Sequence, residues 1–277
     1  MNKGLPPTAG ERLLAVLRSV VLWAIGLFIL LPLVAVVYVS FSPKSFLIFP
    51  PAGFSLRWYA NIGHNAVFLT SFARSLAVGV LVTMLAGALA LPAALALSRG
   101  RFRGRDAILT LLLAPLLLPT LVFALALLTF FSRLHLQDTL PGLVLAHTVV
   151  CLPYFLRSAL VGLTSLDPSL AEASDILGAT PWRTFRHVVL PLIRPSLLAG
   201  TIFAFIISFD QFTVSLFVVS YKQVTLPIAL FNYLTQTSDP TVAAVSTLLV
   251  LFGLAASLLV HKLIGLDNLF DSGAPPQ

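Results

Sequence analysis

Six stretches of mostly apolar residues, each long enough to cross a lipid bilayer, constrain this chain more than any other feature. No Asp, Glu, Lys or Arg occurs between Arg18 and Lys44, between Arg74 and Arg99, or between Asp106 and Arg133. Three further stretches run roughly from Pro141 to Leu163, from Ser196 to Ser220 and from Pro240 to Ile264. A helix needs about 20 such residues to span the hydrocarbon, where lipid offers no partner to an unpaired backbone amide. Only 10% of the 277 residues are charged, against roughly 25% in a soluble domain. A water-soluble monomer, a disordered chain and a collagen-like chain are therefore excluded, and the one cysteine, Cys151, excludes an internal disulfide framework. The expected fold is an all-α integral membrane protein of six transmembrane helices.

Several prolines, Pro32, Pro92, Pro115, Pro119 and Pro153, lie within or at the ends of these spans, where membrane bundles tolerate kinks. The run from Val20 to Val39 is too long for the apolar core of a secretory signal, so it reads as a retained helix. With the N-terminus inside, twelve basic residues fall on the inner side: Lys3, Arg12, Arg18, Arg99, Arg101, Arg103, Arg105, Arg157, Arg183, Arg186, Arg194 and Lys262. Five fall outside: Lys44, Arg57, Arg74, Arg133 and Lys222. This bias places both termini in the cytoplasm. The expected organisation is a cytoplasmic segment 1–18, a six-helix domain 19–264 and a cytoplasmic tail 265–277. The net charge of +7 is thus a topology signal. Dispersed basic residues do not form the single stripe that nucleic acid requires.

One cytoplasmic loop, residues 164–195, is too structured for a linker. Asp167-Pro168 is a capped helix start, and Gly178 is placed to end that helix in a left-handed turn. Thr180-Pro181 repeats the start signal, opening a second short helix that carries Trp182, Phe185, Val188 and Val189 until Pro191 stops it. The first helix sets Glu172 and Asp175 on one face, and Leu170, Ala173, Ile176 and Leu177 on an apolar one. That apolar face fits either a helix lying on its own bundle or one presented to a partner.

The loop pattern Glu172-Ala173-Ser174, Gly178, Val188 and Leu190-Pro191 resembles the signature loop of ABC importer permeases, with Ser174 and Val188 where that signature usually has Ala and Ile. The resemblance implies a type I ABC importer transmembrane domain whose loop docks on a cytoplasmic ATPase. It assigns the ATPase-coupling role to Ala171, Glu172, Ala173, Ser174, Gly178, Val188, Leu190 and Pro191. The implied partners are two cytoplasmic ATPase subunits, a second permease subunit (a related chain favoured over a self-copy), an extracytoplasmic substrate-binding protein and the lipid bilayer. The location implied is the bacterial cytoplasmic membrane. ATP binding would close the ATPases and turn the passage outward, and hydrolysis would reset it. No Gly-x-x-x-x-Gly-Lys phosphate loop is present, so ATP and Mg belong to the partner subunits and this chain needs no cofactor. It also lacks the sequence signatures of a hydrolase elbow or a zinc-protease helix. A non-enzymatic permease is expected, with an ion-coupled secondary transporter as the rival class.

Further segments resemble permeases of spermidine/putrescine importers: Gly53 to Tyr59, Ser208 to Phe217, Thr225 to Pro227, and Asp239 to Ser246. The same subfamily includes importers of 2-aminoethylphosphonate. Asp210 is the one carboxylate deep in a predicted span. Its insertion costs about 2.5–3.5 kcal/mol, which the Leu, Ile, Val and Phe of the same span offset at roughly 0.3–0.6 kcal/mol each. Moving ammonium groups through a low-dielectric passage calls for anionic and aromatic walls. Asp210, Tyr154, Phe155, Phe209 and Gln211 are the candidate substrate-pathway residues. A purely structural Asp210, paired with hydroxyls or Arg157, is the alternative. Trp58 and Tyr59 read either as a docking contact or as headgroup anchors. The five histidines show no metal-ligand spacing.

Overall fold

The computed structural model describes residues 9–46, 49–51, 53–100 and 102–264. The expectations placed on residues 1–8, on Arg101 and on the tail 265–277 lie outside the described residues, as do those placed on the side chains of Arg12 and Lys262. Among the described residues the chain is helical and contains no strand. In order the helices are α1 (Ala9–Ser40), α2 (Arg57–His64), α3 (Ala66–Arg99), α4 (Arg105–Leu113), α5 (Thr120–Arg133) and α6 (Leu140–Thr164). They continue with α7 (Pro168–Ile176), α8 (Pro181–Thr184), α9 (Leu190–Phe209), α10 (Phe212–Val218), α11 (Leu226–Gln236) and α12 (Thr241–Ile264). Among the described residues five helical stretches are long and apolar enough to span a membrane, six when the bent pair α4 and α5 is counted as one span.

Three expectations need correction. The third span is not one helix: α4, a 3₁₀ turn at Ala114–Leu116 and α5 are bent by 101°. Pro115 and Pro119 each remove a backbone donor, and Pro119 pushes Leu118 out of helical geometry. The fifth span is broken at Asp210–Gln211 instead of running unbroken to Ser220. Its other end extends further back than Ser196, since helix continues from Pro181 to Phe209. Pro191 therefore does not stop the second loop helix. A π turn at Phe185–Val189, where the Leu190 N–H reaches the Phe185 carbonyl, widens the backbone just before the proline. Widening accommodates a ring that would otherwise clash with the carbonyl four residues back. The helices α2 and α11 lie in connections that the sequence reading left without structure.

The chain divides into two compact units. The first comprises residues 1–64 and 234–252. Here the expectation for Trp58 and Tyr59 is corrected as well. Trp58 is buried, donates its indole N–H to the Ser42 carbonyl at 2.7 Å and lies under the Arg57 guanidinium. The Tyr59 hydroxyl bonds Ser40 at 2.7 Å. Both tie α2 to the end of α1 because each ring carries one polar atom that needs a partner once its body is packed.

The second unit comprises residues 65–233 and 253–277. Helices α3, α6 and α9 pack pairwise around a core that includes Val82, Ala90 and Ala94 of α3, Leu143, Leu156 and Ala159 of α6, and Ile193 and Ala204 of α9. Lipid is as apolar as leucine, so close van der Waals contact must hold these helices together, and small residues permit it. Gly162 is the clearest case: a Cβ there would fall 2.7 Å from the Ser196 Cβ. A second cluster joins α5 to α10 through Ala124, Leu127, Phe131, Val214 and Val218.

Candidate functional site

The loop between α6 and α9 is built from local bonds. Asp167 caps α7, accepting from the Ser169 N–H at 2.9 Å. Backbone and side-chain hydrogen bonds from Ser169 hold the Asp167 carboxyl below the usual range. At the other end Leu177, Gly178 and Ala179 N–H groups donate to the carbonyls of Ala173, Asp175 and Ser174. Gly178 has φ of +74°, a conformation that costs any residue with a Cβ. Thr180 then caps α8. The two helices are joined by a hydrogen bond of 2.8 Å between the hydroxyls of Ser174 and Thr184. Sequence reasoning missed Thr184, which is buried, because its partner lies ten positions away across a turn.

The surface of this loop is apolar where a solvated linker would be polar. Ile176 and Leu177 are each 86% exposed and Trp182 is 65% exposed, with its ring tilted against Phe185 at 5.5 Å. The apolar face of α7 is therefore not used up by the bundle at Ile176 and Leu177. Glu172 and Ala173 are also exposed, Ala171 and Ser174 are half-buried, and Gly178 is open to solvent. Behind α7 lies a cavity of about 480 Å³ lined by Arg99, Leu163, Asp167, Ala171, Glu172, Val188 and Leu192, among others. Val188 and Leu190 are half-buried at the turn into α9, and Pro191 is exposed there.

The second candidate region surrounds the break in the fifth span. Asp210 follows the last residue of α9, its N–H bonded to the Ile206 carbonyl at 3.0 Å. Gln211 is extended and α10 restarts at Phe212. Asp210 is exposed and makes no ion pair among the described residues, with Arg157 or any other cation. The C-terminal end of α9 adds the negative pole of a helix dipole at the same point. Its chain neighbours carry aromatic rings: Phe209, which is buried, lies 5.8 Å from Phe205 and 5.9 Å from Phe72, and Phe212 lies 5.1 Å from Phe231. Gln211 is half-buried and Tyr154 is 37% exposed. Phe155 is buried in the core among α3, α6 and α9, and so is not gathered into this cluster.

The segment after α10 is strapped down by polar groups. Asp138 accepts from the backbone N–H groups of Ser220, Tyr221, Lys222 and Gln223. Arg74 donates to the Val224 carbonyl, and Ser75 accepts from the Leu226 N–H. Slight burial pushes the Asp138 carboxyl up, but the surrounding N–H donors win and hold it below the usual range.

Residues 86–264 match the family described as binding-protein-dependent transport system inner membrane component. The chain belongs to this family. It is an ABC importer permease subunit, a transport component and not an enzyme. The permease is 29% identical over 252 residues to the spermidine/putrescine transport system permease protein PotC of Haemophilus influenzae, covering 91% of this chain and 98% of the relative. It is 32% identical over 240 residues to the putrescine transport system permease protein PotI of Escherichia coli, covering 84% and 85%. Its fold is similar to that in a crystal structure of a bacterial ABC transporter involved in import of the acidic polysaccharide alginate. That match has a TM-score of 0.72 at 19% identity and covers 94% of this chain and 99% of the other.

Proposed function

We propose that this permease forms half of the translocation pathway of an ATP-driven polyamine importer in the bacterial cytoplasmic membrane, with both termini in the cytoplasm. The loop from α7 to α8 couples it to two separate ATPase subunits, a second permease chain completes the passage, and an extracytoplasmic binding protein delivers the cargo. The observation that carries the cargo assignment is the exposed Asp210 at the break, with no ion-pair partner among the described residues and with aromatic rings on its chain neighbours. A polyamine brings several ammonium groups, each of which gains from a carboxylate, a helix C-terminus and an aromatic face in a low-dielectric setting. The names of the PotC and PotI relatives support the same class. Tyr154 and Gln211 line the route with Asp210, while Phe209 and Phe155, both buried, shape it by packing.

The coupling assignment rests on Ile176, Leu177 and Trp182, apolar side chains held in solvent by a capped, glycine-ended helix pair. Such a small, rigid apolar patch gains free energy only when covered by a partner. The test is uptake into proteoliposomes holding the assembled importer and its binding protein. ATP-dependent accumulation of spermidine or putrescine is expected. Accumulation of 2-aminoethylphosphonate without polyamine uptake would overturn the cargo assignment. Uptake that ignores ATP and follows an ion gradient would overturn the coupling assignment.

A further inference from the structure

His147 sits in the N-terminal third of α6 with only 1% of its surface exposed. Its Nδ1 lies 3.1 Å from the Ser208 Oγ and its Nε2 lies 2.8 Å from the Ser215 Oγ. Ser208 belongs to the last turn of α9 and Ser215 to α10, so one imidazole touches both sides of the break. The Ser215 Oγ is also 2.6 Å from the Gln211 carbonyl, to which its O–H donates. That donation leaves Ser215 Oγ to accept from Nε2–H, and Nδ1 to accept from the Ser208 O–H. A neutral ring with its proton on Nε2 thus makes two hydrogen bonds, and Ser215 makes a third to the backbone of the break itself.

We propose that His147 is the positioning residue of the permease, a clasp that fixes the broken fifth span and so aims Asp210 and Gln211 at the passage. The proposal rests on the reading that Asp210 meets the cargo. Neither Pro nor Gly stands at Phe209-Asp210-Gln211-Phe212 to impose a break, so the interruption depends on bonds from elsewhere. Helix α10 is otherwise held by Val214 and Val218 packed on α5, and at its far end, where the Asp138 N–H donates to the Val218 carbonyl. An apolar residue at 147 would leave the buried Ser208 O–H to find an acceptor within its own helix, and the buried Ser215 Oγ, still donating to Gln211, without its donor. The first turn of the short helix would then lose its polar anchor, loosening Gln211 and Asp210, while Val214 and Val218 stayed packed on α5.

The test uses the full importer in proteoliposomes and compares H147L, H147Q, S215A, the H147L/S215A double variant and D210N. In H147L and S215A the apparent KM for spermidine should rise about tenfold, the scale of one lost buried hydrogen-bond partner, while assembly and basal ATP hydrolysis stay near wild type. H147Q should recover most of the loss, because its amide can still donate to Ser215. The double variant should be no worse than either single one. Amide hydrogen exchange in residues 212–218 should quicken in H147L and S215A, a readout that does not depend on cargo. Unchanged exchange and unchanged KM in H147L, or fully additive losses in the double variant, would overturn the clasp. Faster exchange in H147L with normal uptake in D210N would leave the clasp standing and remove Asp210 from the cargo route. Should H147L fail to assemble, S215A and H147Q carry the same comparison.

Discussion

Asp138 shows how much one side chain can organise. Its φ of +54° and four backbone donors make it the hub of the segment after α10. Because its folded pKa is depressed, the stability it contributes is fully present above the unfolded value of about 3.9 and is lost as pH falls through the folded one. A D138N variant should therefore melt below wild type at pH 7, with the gap closing as the pH drops below that range. Thermal melting of the purified permease across pH 3 to 7, in steps of about one unit, checks it. A gap that persisted unchanged at the acid end would assign the effect to shape and not to charge. Asp138 was not legible in the sequence: its donors lie more than 80 positions away. Asp167 was legible, because its partner is two positions on and Pro168 follows it.

Among the elements, helix α7 was read best and the fifth span worst, for the same physical reason. Asp167, Pro168 and Gly178 act within a turn of where they stand, so cap and stop can be recognised locally. The continuation near Pro191 depends on a π turn, and the break at Asp210 on His147, which stands 61 and 68 positions from the serines it bonds. Within the loop, Ser174 and Thr184 provide a test of internal tying. S174A strands the buried Thr184 hydroxyl and should cost about 1–2 kcal/mol, whereas S174A/T184V removes both partners and should cost less. Hydrogen exchange over residues 168–184 compares the two. At the surface, Leu177→Glu should leave stability within about 0.5 kcal/mol, since that side chain is 86% exposed. It should nonetheless abolish retention of the ATPase subunits on the purified permease. Normal ATPase association in L177E would remove this face from the coupling surface.

For the whole molecule, scarcity of charge is what makes both ends of the mechanism visible. The spans were legible because a charge in hydrocarbon is costly, so its exclusion marks each crossing. Their internal geometry was not: proline count did not foretell a bend of 101° in the third span. Two of the acids without an ion pair among the described residues are correspondingly informative. Glu172 is displayed beside the apolar loop surface, and Asp210 is displayed at a helix break flanked by aromatic rings. The most direct measurement is ATP-driven spermidine uptake by D210N in the assembled importer, normalised to complex present and to ATP hydrolysed. Uptake should fall about tenfold or more, as removal of a charge partner from a low-dielectric route entails, with ATPase assembly intact and partial recovery in D210E. Wild-type spermidine uptake per ATP in D210N would contradict the proposed cationic route.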